Sequence, residues 1–202
     1  MKLYFSPGAC SLSVHITLHE AGMTFTPIKA PTKTHQLEDG TDYYSINPLG
    51  YVPLLELDDG TRLVEAPALM QYIADQVPGR HLAPANGTVA RAQVNGWLNF
   101  VSSELHKNFA PLFNPVTPAD YKSMVVEKLL NRFKWTDEQL AGKQYLVDNT
   151  FSVADVYLFN VTNWAPLVKV DLSGFANIAA FRAHMAQRPA VLAAMRAEGL
   201  IR

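Results

Sequence analysis

The chain has 202 residues, with 17 lysines and arginines against 18 aspartates and glutamates, a formal net charge of −1 without a run of either sign. That balance offers no basic patch or arm, so neither nucleic acid nor an anionic membrane is expected as a partner. A single cysteine, Cys10, excludes an internal disulfide framework and a cysteine-rich zinc module, and with no long apolar run before Pro7 it points to a cytoplasmic protein without signal peptide or anchor.

Lys2–Phe5 reads as a strand, and a Ser6-Pro7-Gly8-Ala9 turn hands it to a helix over Ser11–Ala21, with Leu12, Ile16 and His19 along one stripe and Gly22 as a left-handed cap. Phe25–Lys29 is a second strand, followed by a polar, turn-rich segment from Ala30 to Asn47. Val52–Leu57 and Thr61–Val64 flank Asp58-Asp59-Gly60 and predict an antiparallel hairpin. Pro67–Val77 is helical, with Leu69, Ile73 and Val77 on one side.

The turn formers between Pro78 and Gly87 predict a boundary between a domain at 1–80 and an all-helical domain at 87–202. Beyond it every pattern is helical: Val89–Phe109, a long helix capped by Thr117-Pro118-Ala119-Asp120, then Ser152–Val168, Phe175–Gln187 and Pro189–Glu198. The fold class is therefore an α/β N-terminal thioredoxin-like domain followed by an all-α bundle.

Cys10 is the residue with the plainest chemistry. At a helix N-terminus the free N–H groups and the helix dipole favour thiolate, the nucleophilic form, so its pKa is expected below the free value of about 8.5. The usual Cys-x-x-Cys is absent, since Cys10-Ser11-Leu12-Ser13 has one thiol, and an oxidised Cys10 needs an outside thiol to resolve it. Val52-Pro53 reads either as an edge-strand proline or as a cis-proline that turns the preceding N–H and C=O toward an extended peptide ligand. Glu65-Ala66-Pro67 opens a helix, where backbone N–H groups bind carboxylates and Glu65 can meet an ammonium group. Ser152 and Asp155 form an N-capping box, a structural element with no catalytic role. His15 and His19 lie one turn apart without a third ligand, so no metal is expected.

Taken together, Met1-Lys2-Leu3-Tyr4, Ser6 to Ser13, Ile46-Asn47-Pro48, Val52-Pro53, Trp97-Leu98-Asn99-Phe100, Ser103-Glu104-Leu105-His106-Lys107 and Phe151-Ser152-Val153-Ala154-Asp155 resemble a bacterial beta-class glutathione S-transferase over essentially the whole chain. The resemblance implies a homodimer that conjugates glutathione thiolate to small hydrophobic electrophiles in detoxification, with thiol–disulfide exchange through Cys10 as an accompanying reaction. It gives Cys10 and His106 catalytic roles. Glutathione, the co-substrate, would be held by Ala9, Cys10, His35, Val52, Pro53, Glu65 and Ala66, completed by Asn99 and the stretch Ser103, Glu104, Leu105 and His106, partly across the dimer. His106, Lys107, Phe109 and Trp164 would receive the electrophile.

The chain departs from the family pattern at Phe5 (commonly tyrosine), His35 (lysine), Ala66 (serine in some relatives), Leu49 and Tyr51 (polar), and at Pro67, which removes an N–H. Each lost neutral hydrogen bond would cost about 0.5–1.5 kcal/mol of glutathione binding. Two alternatives stand beside this reading: a thiol–disulfide reductase or peroxidase acting mainly through mixed disulfides, and a hydrophobic-ligand carrier or stress-response interaction protein with weak catalysis, which the losses at His35 and Ala66 support.

Overall fold

The computed structural model describes residues 1–202, which divide into two compact units, Met1–Leu82 with Arg188–Arg202, and Ala83–Gln187.

The first unit is built on a four-stranded sheet of β1 (Lys2–Phe5), β2 (Thr26–Lys29), β3 (Leu54–Glu56) and β4 (Arg62–Val64), in the order β2-β1-β3-β4. β1 runs parallel to β2, with Leu3 opposite Pro27, and antiparallel to β3, with Leu3 opposite Leu55. β3 and β4 form the expected hairpin, Leu55 opposite Leu63. The parallel pair needs a crossover, which α1 (Ser11–Ala21) supplies, and α2 (Ala66–Gln76) follows the hairpin. Gly22 ends α1 at φ +67°, its N–H bonded to the carbonyls of His19 and Leu18, as the helix stop in the sequence requires.

α1 is not the one-stripe helix of the sequence reading. Nine of its eleven residues are buried, including Ser11, Ser13, His15 and Thr17. The reason is α8 (Pro189–Ala197), which packs on α1 beside α2 and closes the face that would otherwise meet water. Residues 188–202, read from sequence as the end of the helical domain, belong to the first unit. Arg188 fastens them, its Nε and Nη2 donating to the two Glu20 carboxylate oxygens at 2.7 and 3.1 Å.

The second unit contains α3 (Val89–Phe100), α4 (Lys107–Phe113), α5 (Ala119–Gln139), α6 (Val153–Thr162) and α7 (Ala176–Met185). Thr88 caps α3 by accepting from the Arg91 N–H at 3.1 Å. The uninterrupted helix predicted over Val89–Phe109 is instead divided by a π-helical segment, Val101–His106. Its wider turn keeps Val101, Leu105 and Phe109 all fully buried at four-residue spacing. α5 starts within the expected Thr117-Pro118-Ala119-Asp120 segment, with Pro118 as an N-cap that makes no side-chain bond.

α6 is buried on every side, which explains its near-continuous apolar sequence. Its start is held by the predicted capping box: Ser152 Oγ accepts from the Ala154 N–H at 3.3 Å, and Asp155 Oδ2 accepts from the Ser152 N–H at 2.8 Å. Asp155 Oδ1 also accepts from the Leu146 N–H at 2.9 Å, tying the preceding loop to the helix. The helix expected to run to Val168 stops at Thr162, and a 3₁₀ turn over Ala165–Val168 follows.

Candidate active site

The turn before α1 is held from two directions. Ser11 Oγ accepts from the Ser6 N–H at 3.1 Å and donates to the Ser6 carbonyl at 3.2 Å. Gly8, at φ +71°, donates its N–H at 2.8 Å to Glu198 Oε2, while Glu198 Oε1 takes His15 Nδ1 at 2.9 Å. Both partners of the His15–Glu198 pair are buried. The C-terminal segment therefore fixes the loop that carries Cys10, a role the sequence reading gave neither to Ser11 nor to Glu198.

Cys10 is the first residue of helical conformation and is partly exposed; its Sγ donates to the Val52 carbonyl at 3.2 Å. Burial pushes the thiol up to about 12, the Glu65 carboxylate adds to the rise, and the N–H groups of Cys10 and Ser11 offset only part of it. The expected thiolate is thus reversed. A helix N-terminus helps the anion, but the cost of desolvating it and the neighbouring carboxylate outweigh that help, and the resting group is a thiol donor.

Val52 is held for this contact by the loop preceding it. Tyr43 Oη and Asn47 Nδ2 both donate to the Tyr51 carbonyl at 2.8 Å, and Asn47 Oδ1 accepts from the Leu49 N–H at 3.2 Å. Burial raises the Tyr43 phenol to about 12, which keeps it a donor at any working pH. The Val52-Pro53 bond is cis, as the second reading of that dipeptide requires. His35, at φ +51°, packs against Tyr44 with ring centroids 4.4 Å apart and planes tilted by 34°, and Gly50 lies against both rings.

Glu65 precedes α2 at φ +72°, a conformation disfavoured for a residue with a side chain, and makes no cap bond. It is exposed, its carboxylate lies near enough to Cys10 to act on the thiol, and Ala66 begins the helix beside it. In the first unit the structure thus gathers Ala9, Cys10, Val52, Pro53, Glu65 and Ala66, and places His35 on the loop leading to Val52. A concavity of about 330 Å³ lined by Met1, Met23, Leu57, Tyr72 and their neighbours shares no residue with this set.

In the second unit, His106 closes the π segment, with Nδ1 2.7 Å from Tyr157 Oη and its ring edge-on to Trp164 at 4.7 Å. Burial pulls the imidazole down to about 4, with the Lys107 charge contributing, so it is neutral at physiological pH. Trp164 also meets Phe109 at 5.7 Å and Phe113 at 6.2 Å. Phe109 is fully buried and backs this cluster, whereas Phe113 is half-exposed and supplies the open aromatic surface that the sequence reading gave to Phe109. Lys107 is exposed beside them.

The stretch assigned to glutathione is divided. Ser103 is exposed, its Oγ donating to the Asn99 carbonyl at 3.0 Å, and Asn99 is exposed as well. Leu105 is fully buried and offers no side-chain contact. Glu104 Oε2 is occupied by Arg132 Nε at 2.8 Å and Lys128 Nζ at 3.7 Å, and the Arg132 hydrogen bond holds its carboxyl below the usual range.

A thiol at a helix start beside an outward peptide edge, in a βαβ-ββα sheet with a helical unit following, defines a thioredoxin-like scaffold with an added all-α domain. Comparison with known proteins makes the assignment specific. Residues 7–76 match the family model described as glutathione S-transferase, N-terminal domain, and residues 100–189 match the corresponding C-terminal domain. The glutathione S-transferase GstA of Escherichia coli O157:H7 is 46% identical over 200 residues, covering 99% of this chain and 100% of the relative. A sphingomonad glutathione S-transferase solved in complex with glutathione is 44% identical, with a TM-score of 0.95 and full coverage of both chains. A bacterial beta-class glutathione S-transferase of Sphingomonas chungbukensis is 43% identical, with a TM-score of 0.96 and full coverage of both. This chain belongs to the glutathione S-transferase family, in its bacterial beta class. It is an enzyme of that family, and the carrier reading is not favoured.

Proposed function

We propose that the first unit binds glutathione against Val52 and Glu65, and that the enzyme transfers its sulfur to a small hydrophobic electrophile. The observation that carries this reading is the meeting of the Cys10 thiol with the Val52 carbonyl at 3.2 Å, close to a Glu65 carboxylate that no side chain pairs. The Val52 backbone pairs with the cysteinyl backbone of the tripeptide, Glu65 takes the γ-glutamyl ammonium, and the Ala66 N–H takes the carboxylate. His35 contributes a single hydrogen bond. We assign Asn99, Ser103 and His106 to glutathione as well, the Ser103–His106 stretch acting partly across a homodimer.

Glutathione's sulfur then lies beside Cys10. A protonated Cys10 donates its S–H to the glutathione thiolate and stabilises the anion, which suits a thiol raised by burial better than a nucleophilic role does. The thiolate attacks the electrophilic carbon, a carbon–sulfur bond forms, and the leaving group departs with its electron pair. The half-exposed ring of Phe113, backed by the buried Trp164 and with His106 and Lys107 beside it, receives the electrophile. Disulfide exchange through Cys10 needs the Cys10 thiolate itself and is therefore the slower reaction at neutral pH. A cytoplasmic role in detoxification agrees with this chemistry.

Calorimetric titration with glutathione tests the reading. Wild type binds one tripeptide per chain, and Glu65→Ala loses binding at least tenfold. Equal affinity in the two would remove Glu65 from the site.

A further inference from the structure

We propose that Tyr157 is a positioning residue for His106: its hydroxyl holds imidazole Nδ1 at 2.7 Å, leaving Nε2 alone to face the reacting molecules. This rests on the reading that His106 takes part in the transfer. Tyr157 lies mid-way along α6, the helix buried on every side, and is itself 1% exposed, so its hydroxyl is fixed by the packing of the whole unit. The imidazole is held on two sides, its plane at 85° to the Tyr157 ring and at 74° to Trp164. The π segment that ends at His106 brings the side chain to this place.

The two imidazole nitrogens are distinct groups, and the bond made by one decides what the other can do. With Nδ1 engaged, rotation of the ring would break a buried hydrogen bond, so Nε2 is the nitrogen through which His106 acts. It makes no hydrogen bond within the protein. A phenylalanine at 157 would keep the ring and remove the hydroxyl that holds Nδ1.

The test is steady-state conjugation of glutathione to chlorodinitrobenzene by the full chain as wild type, Tyr157→Phe, His106→Ala and the double variant. Tyr157→Phe is expected to lower kcat roughly 3- to 10-fold, the scale of one hydrogen bond, with KM for glutathione nearly unchanged. It should add nothing in the His106→Ala background, because a residue that acts only through His106 has no effect once the imidazole is gone. Losses that multiply, or an unchanged kcat in Tyr157→Phe where His106→Ala is impaired, would overturn the proposal. Wild-type kinetics in His106→Ala would instead remove the underlying role of His106, and the proposal with it. Should Tyr157→Phe fail to fold, nitrogen NMR of the wild-type histidines decides: one fixed tautomer for His106 is expected, and rapid averaging of two would contradict it.

Discussion

The Cys10 thiol donates to the Val52 carbonyl, so the only cysteine of the chain is bound to the backbone edge on which its tripeptide substrate is proposed to lie. With burial pushing this thiol up to about 12, alkylation by iodoacetamide should be slow at pH 7 and rise steadily past pH 9, without the plateau near neutrality of an activated cysteine. Glu65→Gln should lower the titration midpoint, since the carboxylate raises it. A wild-type midpoint below about 8.5 would contradict this account.

The same rise has a consequence for stability. Cys10 ionises in the unfolded chain before it does in the folded one, so its contribution is intact below pH 8.5–9 and is lost as pH climbs toward 12. Thermal midpoints should fall more steeply with alkaline pH in wild type than in Cys10→Ala. Parallel curves would show that the thiol is not desolvated.

His106 has the opposite sign. Its folded-state pKa of about 4 lies below the unfolded value, so the unfolded state takes the proton first as pH drops. Stability from this group is full above about pH 6.5 and falls between there and pH 4. Proton NMR should place the His106 titration near pH 4, and a midpoint near 6.5 would deny its burial against Tyr157 and Trp164.

Asp155 accepts from the Leu146 and Ser152 N–H groups, and Ser152 Oγ lies 3.1 Å from Oδ2. Asp155→Ala strands these buried donors, each costing about 1–3 kcal/mol, while the glutathione affinity of the folded fraction should stay unchanged. Burial pushes the carboxyl up to about 6, so its contribution is greatest at low pH and shrinks as pH rises through that value. The gap in stability between wild type and Asp155→Ala should therefore be wider at pH 4 than at pH 7, as chemical denaturation would show.

Gly50 has φ +67°, and a Cβ there would lie 2.7 Å from Tyr44 Cε1 and 2.9 Å from His35 Cε1. Gly50→Ala forces the His35 and Tyr44 rings and the Leu49–Tyr51 backbone apart, at about 1–3 kcal/mol. Because that loop sets the Val52 edge, glutathione affinity should fall severalfold. An unchanged affinity would show that the loop does not shape the site.

The first unit was legible because its signals are local: a strand, a turn, a helix stop at Gly22 and a hairpin at Asp58-Asp59-Gly60 each depend on a few adjacent residues. The resemblance carried the site, and of the residues it assigned to the first unit Val52 and Glu65 lie beside the thiol. What the sequence withheld depends on distant parts of the chain. Glu198 reaches His15 and Gly8 across 183 and 190 residues, so no window on the sequence links α8 to α1. Desolvation of the Cys10 thiol and its nearness to Glu65 likewise depend on residues outside the turn, which is why an argument from the helix terminus alone pointed its pKa in the other direction. The π segment was hidden because an apolar spacing of four suits an α-helix as well. Only the polarity of α1, with serines, a threonine and a histidine buried in it, hinted that more than a sheet covers that helix.

The central claim, glutathione held at Glu65 and Val52 for transfer to an electrophile, is tested most directly by conjugation kinetics with chlorodinitrobenzene as glutathione is varied, in wild type and Glu65→Gln. Wild type should show saturable, glutathione-dependent conjugation. The variant, deprived of the charge that meets the ammonium group, should raise KM for glutathione about tenfold, the scale of a charge-assisted hydrogen bond. Absence of glutathione-dependent conjugation in wild type, or a wild-type KM in Glu65→Gln, would contradict the account.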